Sequence, residues 1–293
     1  MSRSAIKTVG ITLGDPQGIG AEVIRKSLRS DKLKVKAPIV LIGDRKLLKG
    51  LQYPVVDVPY NHPADGSLKF LQRGIDLLKG GIIDALVTAP LSKERVSRFY
   101  PGFLGHTEYL ADAFNIKRFD MMFIAPNMRL SLVTRHVPIK DVPAMITKKA
   151  VLSSIELMDE TLRNKFHVKR PKIAVFGLNP HAGENGLLGS EDMKAILPAI
   201  VAAKQKGIRA SGPIPADTFF IHDKGYDGII AMYHDQGLAP TKGLYFKKLV
   251  NFTAGLPFVR TSPVHGTAFD IANRGIADPS SMVAAINLAC QLA

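Results

Sequence analysis

The sequence predicts an α/β fold of parallel sheets covered by helices, and three observations predict it. Strand-like and helix-like segments alternate from one end to the other. Several strand segments are unbroken apolar runs, such as Pro38-Ile-Val-Leu-Ile-Gly, of the kind buried on both faces of a sheet. The length of 293 residues suits about two domains, or one large one, with a core of its own.

The elements follow in order. Lys7-Thr-Val-Gly-Ile-Thr-Leu reads as a strand and Gly20-Ala-Glu-Val-Ile-Arg-Lys-Ser-Leu as a helix. After the strand at Pro38, the residues Leu68, Leu71, Ile75 and Leu78 fall at helical spacing, and Ile82-Ile-Asp-Ala-Leu-Val-Thr forms the next strand. Met122-Phe-Ile-Ala, Leu130-Ser-Leu-Val-Thr, Ile173-Ala-Val-Phe-Gly and Gly228-Ile-Ile-Ala-Met-Tyr are further strands, and a long helix is expected from Ile139 to about Phe166. A shorter helix starts at Thr107 and runs to about Phe114. Another begins at Ser190, an N-cap type followed by Glu191 and Asp192, with Met193, Ile196, Leu197, Ile200 and Val201 as its buried stripe and a kink at Pro198. No internal repeat or low-complexity linker marks a domain boundary.

Composition narrows the function. Thirty-nine Lys and Arg stand against 25 Asp and Glu, a net charge of +14, which suits either an acidic small molecule or a nucleic acid. The densest basic stretches are Arg25 to Lys36, Lys148-Lys149 and Arg163 to Lys172; aromatic residues hardly interleave with them, so they read as solvated faces. No apolar run is long enough to span a membrane and no signal peptide is visible. The single cysteine, Cys290, excludes an internal disulfide and a zinc–thiolate cluster, and the cytoplasm is the expected compartment.

The most informative chemical pattern is positional. His136, His181 and His234 each follow an apolar strand closely. Open parallel sheets bind ligands at the carboxyl ends of their strands. Three imidazoles at one such edge suit a divalent metal with a coordination position left for substrate. Three unrelated loop histidines are the alternative. His62, His167 and His222 lie in unpatterned polar contexts and read as ordinary loop residues. Gly14-Asp-Pro-Gln-Gly-Ile-Gly follows a strand and opens a helix without matching a dinucleotide or P-loop fingerprint, so it reads equally as an anion-accepting loop or a tight turn. His106 and Thr107 suit anion binding or a helix cap. Lys242, Asn251 and Arg260 are residue types that recognise phosphate and carboxylate, but their nine-residue spacing matches no period of one face, so on spacing alone they read first as three ordinary surface residues.

The segment Val264-His-Gly-Thr-Ala-Phe-Asp resembles the nucleotide loop of the isocitrate/isopropylmalate dehydrogenase group. Together, Gly14-Asp-Pro-Gln-Gly-Ile-Gly, Thr88-Ala-Pro-Leu-Ser-Lys, Gly105-His-Thr-Glu and Thr134-Arg-His resemble the 4-hydroxythreonine-4-phosphate dehydrogenase family of vitamin B6 synthesis. So do Asn179-Pro-His-Ala-Gly-Glu, Pro215-Ala-Asp-Thr, Tyr233-His-Asp-Gln-Gly and His265-Gly-Thr-Ala, in the same order along nearly the whole chain.

The resemblance implies an isocitrate/isopropylmalate dehydrogenase-like fold of two α/β/α domains with a cleft between them. Residues 1–100 with 258–293 would form the nucleotide-binding domain, and 101–257 the metal- and substrate-binding, dimer-forming domain. It implies His136, His181 and His234 as metal ligands, and His106, Thr107, Lys242, Asn251 and Arg260 as contacts of a small phosphorylated hydroxy acid. His265, Gly266 and Asp270 would hold NAD, while Asp217 and Asp235 are rivals for proton transfer or support of a metal histidine. The implied reaction is oxidation and decarboxylation of 4-phosphooxy-L-threonine to 3-amino-2-oxopropyl phosphate, with zinc first among the metals, then cobalt or magnesium, in a homodimer that shares its active sites. A sister dehydrogenase of a four-carbon phosphorylated sugar acid and a phosphate acyltransferase of similar architecture are the alternatives.

Overall fold

The computed structural model describes residues 7–34, 37–221 and 225–293, so Lys36 and His222 lie outside the described residues. The chain divides into two compact units, Met1–Lys117 with Lys247–Ala293, and Arg118–Phe246. The resemblance draws the division at 100/101 and 257/258 instead.

The first unit opens with β1 (Val9–Thr12), α1 (Gly20–Leu28), β2 (Ile39–Gly43), β3 (Val55–Asp57), α2 (Pro63–Lys79), β4 (Ala85–Thr88), α3 (Lys93–Phe99) and α4 (His106–Ala113). The second unit holds β5 (Asp120–Ala125), β6 (Met128–Leu132), α5 (Val142–Met145), α6 (Lys148–Asn164), β7 (Lys172–Phe176), α7 (Leu197–Gln205), β8 (Arg209–Ile214), α8 (Ala216–Phe219), β9 (Gly228–Ala231) and α9 (His234–Tyr245). The chain then returns to the first unit through β10 (Val250–Ala254), β11 (Val259–Pro263) and α10 (Ser280–Leu292).

Strands of the first unit run in the order β3-β2-β1-β4-β11-β10. All neighbours are parallel except the β10–β11 pair. Every residue of β1 and β4 is buried, as their apolar runs require. In the second unit the order is β5-β6-β9-β7-β8. Here β6–β9, β9–β7 and β7–β8 are parallel, while β5–β6 is an antiparallel hairpin. That hairpin corrects an all-parallel reading. Only Pro126 and Asn127 separate Ala125 from its partner Met128, far too short a link for a parallel crossover.

Two helix expectations also change. The stretch from Ile139 breaks at Ile146, whose ψ of 87° is non-helical, and a new helix starts where the Thr147 hydroxyl accepts from Ala150 N at 3.2 Å. The helix near Ser190 opens with a π turn over Asp192–Ile196, and Pro198 falls in the first turn of α7 behind it. The helical run is continuous through the π turn, so Pro198, which has no N–H to donate, lies directly behind the widened turn. The wider turn also rotates the buried face onto Ala195, Ile196, Ala199 and Ile200, leaving Met193 and Val201 40% and 46% exposed.

Candidate active site

In the second unit, topology brings the three histidines to one edge. His136 lies just beyond β6, His181 beyond β7 and His234 at the start of α9 directly after β9. These three strands are adjacent and parallel, in the order β6-β9-β7. Their carboxyl ends therefore present all three histidine-bearing loops side by side. The His136 and His234 rings lie 5.6 Å apart, beside a cavity of about 290 Å³ lined by Arg135, Tyr233 and Asp235 among others.

Carboxylates orient two of the rings. His234 Nδ1 lies 2.6 Å from Asp235 Oδ1, and His181 Nδ1 lies 2.6 Å from Glu184 Oε1. Such contacts direct each Nε2 lone pair outward, the arrangement that metal-binding imidazoles use. The Glu184 hydrogen bond, its charge and more weakly that of Asp217 raise the His181 pKa. Asp217 itself is exposed on α8. The donor chemistry fits a borderline divalent ion. Among the described residues, however, no three His, Cys, Asp or Glu side chains gather around a single metal position.

His181 stands in a left-handed turn: His181, Ala182, Gly183, Glu184 and Asn185 all have positive φ. The fully buried Asp192 carboxylate anchors that turn. It accepts from Leu178 N at 2.8 Å, Asn179 N at 3.2 Å and Asn179 Nδ2 at 2.9 Å. The sequence reading gave Asp192 only a helix-dipole role.

The first unit builds a cationic site. Arg260, on β11, is 2% exposed. Its Nη1 donates to Thr253 Oγ1 at 3.1 Å and Thr107 Oγ1 at 3.4 Å, and its Nη2 donates to Thr88 Oγ1 at 2.6 Å. Burial drives its pKa down to about 10, with Glu108 opposing the shift. Asn251 explains the nine-residue spacing. It lies on β10 opposite Ser262, and side chains alternate along β11, so Asn251 and Arg260 share a face of the hairpin. The Asn251 Oδ1 and Arg260 Nε atoms are buried without protein partners. Lys242 lies on α9 in the second unit.

Helix capping is not the role of His106 or Thr107. Gly105 is the N-cap of α4 and no side chain caps that end. Burial, then the charges of Arg260 and Lys93, push the His106 pKa well below its ordinary range, so the ring is neutral. Thr88, Lys93 and Thr253 were not among the predicted site residues; Thr88 and Lys93 bound the segment Thr88-Ala-Pro-Leu-Ser-Lys that carries the resemblance, while Thr253 had no such signal.

The loop after β11 carries His265, Gly266 and Asp270. Glu22 and Lys26 on α1 hold its far end, Glu22 accepting from Ala277 N at 2.8 Å and Lys26 donating to Gly275 O and Ala277 O, each at 2.8 Å. His265 Nε2 is buried without a protein partner, Asp270 is exposed, and a Cβ at Gly266 would meet nothing within 4 Å. The Gly14–Gly20 segment serves close packing. A Cβ on Gly14 would sit 2.3 Å from Pro90 O and one on Gly20 2.1 Å from Leu13 O, while Ile19 N donates to Thr267 O of the same loop. His62 caps α2, its Nδ1 accepting from Ala64 N.

Comparison with known proteins gives the family. The family profile of the pyridoxal phosphate biosynthetic protein PdxA matches residues 26–289. The chain belongs to this family. Membership makes it an oxidoreductase of pyridoxal phosphate biosynthesis. Among its PdxA-like relatives, a 4-hydroxythreonine-4-phosphate dehydrogenase from Sulfurihydrogenibium sp. (strain YO3AOP1) is 38% identical over 97% of this chain and 98% of the relative. A protein from Oceanobacillus iheyensis, provisionally described as a D-threonate 4-phosphate dehydrogenase, is 41% identical over 100% and 99%. The crystal structure of a 4-hydroxythreonine-4-phosphate dehydrogenase from Klebsiella pneumoniae superposes with a TM-score of 0.87 at 34% identity, covering both chains fully. Among the described residues no helix is long and apolar enough to cross a membrane.

Proposed function

We propose that the chain oxidises and decarboxylates 4-phosphooxy-L-threonine to 3-amino-2-oxopropyl phosphate, with NAD as oxidant and a divalent metal, zinc first, held by His136, His181 and His234. The observation that carries the reading is the placement of those histidines beyond three adjacent parallel strands, in a chain whose relatives are named for this reaction. When bound, NAD accepts the hydride and the metal lowers the pKa of the substrate hydroxyl.

The chain's own residues do the rest. Arg260 offers an unpaired donor to the anion of the substrate and Asn251 an unpaired acceptor to its hydroxyl or ammonium group, with the neutral His106 and Thr107 beside Arg260, and Lys242 contributes from α9. Asp235 fixes the His234 ring through Nδ1, which supports a positioning role for it. Asp217, near His181, stands for proton transfer at the reacting hydroxyl. The unpartnered His265 Nε2, the open space at Gly266 and the exposed Asp270 suit the adenosine end of NAD, where Asp270 would accept from the ribose hydroxyls. A homodimer accords with the large apolar side chains that the second unit exposes, among them Ile139, Leu187 and Ile221; the cytoplasm is the proposed compartment.

The relative from Oceanobacillus iheyensis favours a second reading, D-threonate 4-phosphate as substrate of the same machinery. NADH formation distinguishes them, measured with each acid, after chelation and after zinc is restored. Turnover of 4-phosphooxy-L-threonine that is lost on chelation and regained with zinc is expected. Faster turnover of D-threonate 4-phosphate would transfer the assignment to it, and no metal-dependent NADH with either acid would overturn both.

A further inference from the structure

A buried arginine normally meets a carboxylate, because an isolated cation away from water is costly. Arg260 meets none. No ion pair joins it to an acid among the described residues, and its three hydrogen bonds all go to threonine hydroxyls on three separate elements. Thr88 ends β4, Thr253 lies in β10 and Thr107 is in the first turn of α4. In the order β4-β11-β10, Thr88 and Thr253 come from the strands on either side of Arg260's own.

We propose that Thr88 and Thr253 are positioning residues: they form a hydroxyl clamp that fixes the Arg260 guanidinium while leaving its charge uncompensated for the oxyanion of the substrate. The physical reason lies in the donor count. A guanidinium has five N–H groups in a planar fork. A carboxylate in the clamp would take two of them bidentately and cancel the charge, so a substrate phosphate or carboxylate would have to displace it. Hydroxyls satisfy N–H groups and leave the charge. The clamp takes one N–H at Nη2 and two at Nη1, and the buried Nε–H has no protein acceptor. Fixing the fork in advance also removes the ordering cost that a free arginine would incur on binding. Burial lowers the Arg260 pKa, and the charge of Glu108, which forms no ion pair with it among the described residues, only partly opposes that shift.

This inference rests on the proposed reading of Arg260 as a substrate contact, and the test separates the two. Steady-state kinetics of the zinc-loaded enzyme would compare Thr88→Val, Thr253→Val, Thr88→Ser and Arg260→Ala, alongside inhibition by inorganic phosphate and thermal unfolding. Loss of a hydrogen bond to a charged group corresponds to about a tenfold effect or more, so each valine variant should raise KM for the phosphorylated acid by about that factor. The inhibition constant of phosphate should rise in parallel, with kcat and the KM for NAD changed far less. Thr88→Ser restores the hydroxyl and should restore KM, which a merely structural effect of side-chain volume would not do. If Arg260→Ala weakens substrate binding while both valine variants bind as the parent does, the clamp is wrong and the Arg260 assignment stands. If Arg260→Ala also binds normally, both fall. Should Thr88→Val fail to fold, Thr253→Val and Thr88→Ser decide the matter.

Discussion

The left-handed turn that carries His181 should depend on one carboxylate. Four non-glycine residues, His181, Ala182, Glu184 and Asn185, hold positive φ there. At roughly 1–2 kcal/mol each, they cost about 4–8 kcal/mol together. Against this stand the three hydrogen bonds accepted by Asp192. Bonds to a buried charged acceptor contribute about 1.5–3 kcal/mol each, so about 4.5–9 kcal/mol in all. The two sums are comparable, and Asp192→Ala removes the favourable one. The turn then relaxes instead of straining the whole unit, so the loss should be local. Amide hydrogen exchange reads it directly: protection across residues 178–190 should collapse in the variant, while α6 and β9 keep theirs. Asp192→Asn presents an amide where a second carboxylate oxygen accepted, and should fall between. Since His181 rides on this turn, zinc affinity measured by calorimetry should drop with protection. Unchanged exchange across 178–190 in Asp192→Ala would refute the reasoning, whatever happened to turnover.

Two further outcomes follow from burial. The folded chain keeps His106 neutral where the unfolded chain takes a proton near its ordinary value of 6.5. Stability is therefore full above that value and declines below it, by up to about 1.4 kcal/mol per pH unit for one proton. His106→Asn should flatten that limb in urea titrations, and an unaltered slope would assign it elsewhere. The glycines divide by what surrounds them. Gly20→Ala drives a Cβ to 2.1 Å from Leu13 O and should lower the unfolding temperature markedly, whereas Gly266→Ala meets nothing and should leave it unchanged while raising the KM for NAD. The opposite pattern in thermal melts and kinetics would exclude the nucleotide role of Gly266.

Much of the fold was legible because burial on both faces writes itself into a run of consecutive residues. β1, β2 and β4 are such runs, and each was readable alone. Pairing direction was less accessible. The β5–β6 hairpin shows a turn of two residues that an apolar pattern does not distinguish from a break in one long strand, and β10 and β11 went unread as strands. The exposed Met193 has the same origin, because a π turn shifts helical phase without altering composition.

The site divides along the same physical line. Histidines directly after strands are a local signal, so His136, His181 and His234 could be singled out before any distance was known; strand order sets their loops along one edge and brings the His136 and His234 rings to 5.6 Å. No local signal ties the Arg260 clamp together, although Thr88 and Thr107 each lie in a segment that carries the resemblance. Thr88, Thr107 and Thr253 are separated by up to 165 positions from one another and become neighbours only because β11 enters the sheet between β4 and β10. Threonine is also a common strand residue for reasons of shape alone. A hydroxyl that holds a buried cation is therefore indistinguishable in sequence from one that merely fits a pleat. The nine-residue interval between Asn251 and Arg260 shows the converse. It matches no helix or strand period, yet a hairpin folds it onto one face, so an interval without a period argues against a single element and not against a shared site.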